Sequence, residues 1–216
     1  MDPVLDNLDL FWSGFLRSLG IALWGAVGSL VLGTVVAVCR VCPVPVLRGF
    51  GATYVTVVRN TPLAVVLSFF AFGIPTLGVN ASYYVFGVAG LVVYTAAFVC
   101  EAERAGINAV APGQAEAARA IGLGFTQTLT LVVLPQAVRS VVPPLGNVQI
   151  AMIKNSAVVG GFGVGGDLFA VTKRLTSAQG YPLLPVLTGM AIGYLVITLT
   201  AAAGLALAER RLAVAR

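Results

Sequence analysis

The chain has 216 residues, 58% of them hydrophobic and 10% charged, with a net charge of +5 and a mean hydropathy of +0.96. A soluble domain carries about 25% charged residues, so this composition excludes a soluble globule and specifies an integral membrane protein. Histidine is absent, which removes Ser–His triads, imidazole acid–base chemistry and histidine metal sites.

Three cysteines build no disulfide framework. The positive charge reads as the inner-side bias of a membrane protein, with no nucleic acid as partner. At the N-terminus, Leu5, Leu8, Trp12 and Phe15 recur at helical spacing. Residues 1–16 are therefore expected to form an amphipathic segment on the outer surface. Asp2, Asp6 and Asp9 with no Lys or Arg are the wrong start for a cleavable signal peptide. A spanning helix needs roughly 20 apolar residues, and the uncharged run Ser18–Cys39 supplies the first. Asn60–Cys100 holds two more, separated by a turn at Gly73-Ile74-Pro75 and Gly78-Val79-Asn80. The second helix is expected to begin before Arg59 and the third to end near Arg104.

Ala120–Val138 is also uncharged, but it contains Gly122, Gly124, Thr126, Gln127, Thr128, Thr130, Pro135 and Gln136. Phe125, Leu129 and Val132 at helical spacing predict a short amphipathic helix lying beside the membrane. The fourth span is then Pro143–Gly166, enclosing Lys154, and the fifth lies within Leu175–Ala208 after a loop with Gly180 and Pro182. Five spans put the termini on opposite sides. With the N-terminus outside, Arg40, Arg48, Arg59, Arg104, Arg119, Arg139, Arg210, Arg211 and Arg216 are inside, and Arg17, Lys173 and Arg174 are outside. The expectation is an all-α integral membrane protein of one domain, residues 1–216, N-out and C-in.

Some motifs carry no chemistry. Gly161-Phe162-Gly163-Val164-Gly165-Gly166 matches G-x-G-x-x-G, but it closes an apolar helix where a dinucleotide site needs a preceding strand. No Walker sequence occurs, so ATP and Mg are expected to bind a separate chain and this one to hold no cofactor and no metal. Cys39-Arg40-Val41-Cys42 at a span end reads as two free thiols.

The informative stretch runs from Glu116 to Pro135. Glu116-Ala117-Ala118, three residues, Gly122, nine residues, Val132, one residue and Leu134-Pro135 follow E-A-A-x3-G-x9-I-x-L-P with Val for Ile. It resembles the cytoplasmic EAA loop of ABC-importer membrane subunits, here within residues 106–139. A short helix exposing small side chains, ended by Gly122, is a knob that fits a groove on a partner. Arg59-Asn60-Thr61-Pro62-Leu63, Glu101 with Arg104-Ala105-Gly106-Ile107, Gly113-Gln114, Leu134-Pro135-Gln136-Ala137-Val138-Arg139, Pro144-Leu145-Gly146-Asn147 and Lys154-Asn155-Ser156 extend the likeness to permeases for polar amino acids. A second acid, Glu103, departs from the family's pattern.

The resemblance implies a non-enzymatic permease subunit in a bacterial cytoplasmic membrane. It implies ABC ATPase subunits docked at Glu116, Ala117, Ala118, Gly122, Leu134 and Pro135, a second permease subunit, identical or related, and an extracytoplasmic solute-binding protein. Arg59, Asn60, Thr61, Pro62, Glu101, Arg104, Lys154, Asn155 and Ser156 are its candidates for the substrate pathway. Val58–Pro62, Gln114–Ala118 and the tail Glu209–Val214 look most like permeases of glutamate uptake. Three cations against Glu101 and Glu103 favour an anionic amino acid, with glutamine or another polar amino acid next. An ion-coupled secondary transporter would show an internal repeat, and an intramembrane enzyme would need an acid pair or a Ser/Lys dyad; neither is apparent.

Overall fold

The computed structural model describes residues 3–162 and 166–212, and every regular element among them is a helix. Helix α1, Leu8–Val41, follows a single 3-10 turn at Leu5–Asn7. The expected surface segment is thus colinear with the first span: Leu8, Trp12 and Phe15 continue into it without a break. Nothing between them and Ser18 interrupts a helix, and Arg17 settles over the Tyr84 ring, 4.9 Å from its centroid.

Helix α2, Pro45–Arg59, meets α3, Leu63–Thr76, at a 104° bend. The second span was expected to run through this region; instead Arg59 ends one helix. Pro62 lacks an N–H and biases Thr61 away from helical angles. The last carbonyls of α2 are then met by side chains, with Asn60 Nδ2 donating to Thr56 O at 2.7 Å and Thr61 Oγ1 to Val57 O at 2.8 Å. Helix α4, Tyr83–Asn108, opens with Ser82 accepting from the Val85 N–H.

Helix α5, Pro112–Ala120, is short, and α6, Phe125–Gly160, is continuous. This corrects the expectation of a separate helix over 120–138 and a span starting at Pro143. Pro143 and Pro144 lie inside α6. The polar residues that argued for a break are satisfied within the helix: Thr130 Oγ1 donates to Thr126 O and Gln136 Nε2 to Val132 O, each at 2.8 Å. The segment Thr128–Val133 is π-helical and ends two residues before Pro135, as Phe69–Gly73 ends two before Pro75. The wider turn accommodates the carbonyls that a proline leaves without a donor. Helix α7, Leu168–Lys173, runs through a π turn at Arg174–Ala178 to the loop before α8, Leu183–Leu212.

Among the described residues four helices are long and apolar enough to cross a membrane, five with the bent pair α2–α3. They meet in a central cluster of Ile21, Leu67, Leu91, Met152, Val159 and Ile197, drawn from α1, α3, α4, α6 and α8. Close approach rests on small residues, as expected where apolar burial gives helices little reason to associate in lipid. A Cβ on Gly33 would sit 2.9 Å from the Ala96 carbonyl oxygen, and one on Gly106 would sit 2.7 Å from Val141 Cα. Gly33 therefore seats α1 on α4, and Gly106 seats α4 on α6.

Candidate functional site

The turn between α5 and α6 has a defined architecture. Gly122 takes φ +89°, and the N–H groups of Gly122 and Leu123 reach back to Arg119 O and Ala118 O at 3.0 and 3.1 Å. This is a Schellman ending, which a residue with a Cβ adopts only under strain. Gln127 Oε1 then accepts from the Gly124 N–H at 3.0 Å and starts α6. Ala118 is buried where α5 folds against the π-helical start of α6, whereas Glu116 and Ala117 are exposed. Leu134 and Pro135 are exposed on α6, and Ile121 and Phe125 flank the turn at 81% and 80% exposure. The predicted loop is thus a helical hairpin, with an open, largely apolar face around a single carboxylate.

A second assembly gathers at the bend between α2 and α3. Glu101 on α4 is ion-paired with Arg40 of α1, with Arg104 at 3.1 Å and with Arg59 at 3.5 Å. The Arg104 pair was legible as an i, i+3 contact; Arg40 was not singled out and reaches Glu101 only through the packing of α1 on α4. Arg59 also lies 5.5 Å over the Phe98 ring centroid. Glu103 stays out of this cluster and accepts from Thr34 Oγ1 at 2.6 Å. Asn60, Thr61 and Pro62 form the bend itself and set where Arg59 sits.

The third region lies on α6. Asn147, Ala151, Lys154 and Val158 form an exposed stripe, and Lys154 has no ion pair or hydrogen bond among the described residues. Asn155 lines a cavity of about 130 Å³ between α4 and α6, together with Tyr94, Thr95, Phe98, Val148, Ala151 and Met152. Thr95 Oγ1 is buried there without a partner. Ser156 points elsewhere: it is buried and donates to Ile153 O at 2.7 Å, a helix-packing role. The candidates therefore divide into the α5–α6 turn, the Arg59/Glu101/Arg104 cluster and the Lys154/Asn155 face.

Asp167 was missed in the sequence. It is fully buried and caps α7, accepting from the Phe169 and Ala170 N–H groups at 3.2 and 3.3 Å. Burial pushes its carboxyl above the usual range, although those N–H groups and Arg17 pull the other way. Nearby, Ser18 Oγ accepts from the Leu168 N–H at 3.1 Å and meets Tyr194 Oη at 3.4 Å. The glycine-rich motif ends beside this site; its residues 163–165 lie outside the described residues. Cys39, Cys42 and Cys100 stand as free thiols.

Spanning helices with an exposed hairpin and an open stripe that holds Asn147 and Lys154 along one of them define a multi-pass membrane protein. The chain belongs to the family of binding-protein-dependent transport system inner membrane components, whose profile matches residues 29–214. It is 36% identical over 209 residues to a probable glutamine ABC transporter permease of Bacillus subtilis (strain 168), covering 97% of this chain and 96% of that one. It is likewise 36% identical over 219 residues to a glutamate transport system permease of Corynebacterium efficiens, covering 96% and 94%. Among solved structures, an amino acid ABC transporter crystallised with histidines superposes with a TM-score of 0.88 at 33% identity, covering 96% of both chains. The chain is thus a permease subunit of the ABC importer type, a transport component rather than an enzyme.

Proposed function

We propose that the chain conducts a polar amino acid into the cell and that glutamate is its main substrate. The relatives carry glutamine and glutamate in their names, so charge must separate the two. The carrying observation is Lys154, without an ion pair or hydrogen bond among the described residues, on the exposed face of a spanning helix and next to Asn155 of the α4–α6 cavity. An ammonium group is costly against lipid and belongs in a water-filled path or against a partner. There it favours an anionic side chain over a neutral one.

In this reading the N-terminus is outside and the C-terminus inside. The α5–α6 hairpin docks an ATPase that binds ATP and Mg, a second permease subunit covers the α6 stripe, and a solute-binding protein delivers the amino acid from outside. ATP-driven closure of the ATPase pair pushes on α5, and the stripe opens to one side or the other. The coupling requires different contacts in the two states, since a ligand that treats them alike shifts nothing. The test is uptake of labelled glutamate and glutamine by the reconstituted complex. Lys154→Met is expected to lower glutamate uptake more than glutamine uptake. Equal losses would make the lysine structural, and arginine uptake without glutamate uptake would overturn the charge argument.

A further inference from the structure

The ion cluster at Glu101 is unbalanced. Three guanidinium groups face one carboxylate, leaving an excess of two positive charges. The three arginines are not equivalent. Arg40 is held close against Glu101 with its side chain only 20% exposed, whereas those of Arg59 and Arg104 are 44% and 39% exposed. Arg59 donates no hydrogen bond among the described residues; its contacts are the 3.5 Å ion pair and the Phe98 ring. The Arg104 Nε is buried without an acceptor. Planar guanidinium donors left open in this way are suited to an oxyanion, which they bind two N–H groups at a time.

Position adds the second argument. Phe98 forms part of the wall of the α4–α6 cavity, and Arg59 lies over its ring. Glu101 follows Phe98 by three residues of α4, about 4.5 Å along the axis. The cluster therefore stands at one end of that cavity, and Arg59 bridges the two. Beside it in the bend, Asn60 and Thr61 have their side chains engaged with α2 carbonyls, so neither hydrogen-bonds the guanidinium.

From these observations we infer that Arg59 and Arg104 form an inner carboxylate-binding site, where the carboxylate of the departing amino acid replaces Glu101 as partner of Arg59. This inference rests on the transport reading above for the identity of the ligand, and on the N-out orientation for calling the site inner. The site gives the importer a means of sensing its product. When the amino acid accumulates inside, its carboxylate holds Arg59 away from Glu101 and slows the next transport cycle.

The test uses the complete complex of permease, ATPase and binding protein in liposomes, with the lumen loaded with glutarate or with neutral glutaramide. Lumenal glutarate is expected to slow uptake of the labelled amino acid, and glutaramide is not. With each protein normalised to its own rate in unloaded vesicles, Arg59→Gln should raise the half-inhibiting glutarate concentration roughly tenfold, as loss of a charge-assisted hydrogen bond does. Arg59→Lys keeps the charge but loses the planar fork, and it should give a smaller rise. If Arg59→Gln does not assemble, Arg59→Lys and Arg104→Lys carry the same measurement.

Equal sensitivity of wild type and variants to glutarate, or equal inhibition by glutaramide, overturns the site. A lipid phosphodiester is the other source of an oxyanion. The assay is therefore run in phosphatidylcholine and in phosphatidylcholine with phosphatidylglycerol; glutarate sensitivity abolished by the anionic lipid would assign the guanidinium groups to headgroups and overturn the inference. Substrate identity is scored separately. If the complex takes up an amino acid other than glutamate, the glutamate reading fails while the glutarate response still decides the inner site. If no amino acid is taken up, binding-protein-stimulated ATP hydrolysis reports the same inhibition.

Discussion

Among the described residues Glu101 is the one carboxylate ion-paired with these arginines, which come from three helices, so its charge cannot be removed without leaving guanidinium groups facing one another. Breaking a buried ion pair from one side costs about 3–5 kcal/mol. Here the groups are partly exposed, and a loss of about 2 kcal/mol is the expectation for Glu101→Gln. A lowered thermal midpoint in detergent, with Glu101→Asp in between, would show it. Asp167 makes the opposite electrostatic case. Its folded pKa is raised by burial, so the stability linked to its titration is present in full below the unfolded value near 4 and is lost as pH rises through the folded value. Asp167→Asn removes that slope. Wild type should therefore be most stable relative to the variant at the acid end and lose ground toward neutrality, as followed by thermal unfolding from pH 4 to 7. A pH-independent difference would mean that Asp167 acts as a cap and no more. Glu101 was singled out in the sequence, but its role as the hub of a cluster was only partly legible: Arg104 advertises itself at i+3 of Glu101, whereas Arg40 and Arg59 arrive through tertiary packing. Asp167 looks like an ordinary loop acid until Gly160, with no side chain to obstruct it, lets its carboxyl fold inward.

At the level of elements, the α5–α6 hairpin was legible because its chemistry is local. A helix that ends at Gly122 needs only a glycine at positive φ and two backbone bonds within six residues. Gly122→Pro cannot adopt φ +89° and removes the N–H bonded to Arg119 O, so it should displace α5 from α6. Glu116→Lys, on an exposed face, should leave folding intact and reverse the charge offered to a partner. Both are expected to reach the membrane and to lose transport together with stimulated ATP hydrolysis; normal uptake at equal membrane levels would remove this hairpin from the coupling path. The uninterrupted course of α6 was not legible. Gln127, Thr130 and Gln136 are the residue types of a surface helix, and their side-chain hydrogen bonds to nearby backbone are what admit them to a long one. The prolines misled for a related reason. Pro135 and Pro75 are each preceded by a π-helical stretch, a local widening with no sequence period of its own.

For the whole molecule, the proposed N-out, C-in arrangement makes a direct prediction. In a version with Cys39, Cys42 and Cys100 replaced, single cysteines at Asn80 and Gln179 should react with an impermeant thiol reagent added outside, and one at Gln114 should not. All three positions are exposed in the chain, so protection at Gln114 reports the side of the membrane rather than burial. Labelling at Gln114 together with protection at Asn80 would reverse the orientation.

The glycine-seated contact between α1 and α4 carries a further consequence for how the sequence can vary. Within the apolar window of α4, 56% of positions are buried inside the chain, against 11% in α6 and 6% in α8. A saturation library scored by growth on the transported amino acid should therefore split by helix. Positions such as Gly33, Ala96 and Val99, where two backbones nearly touch, should accept almost nothing larger. The outer face of α8 should accept nearly any apolar side chain, because lipid fits itself to whatever shape it meets. The stripe through Asn147 and Lys154 should behave as neither, tolerating neighbours by size yet rejecting them by polarity, which is the pattern expected if the proposed second permease subunit supplies its other half.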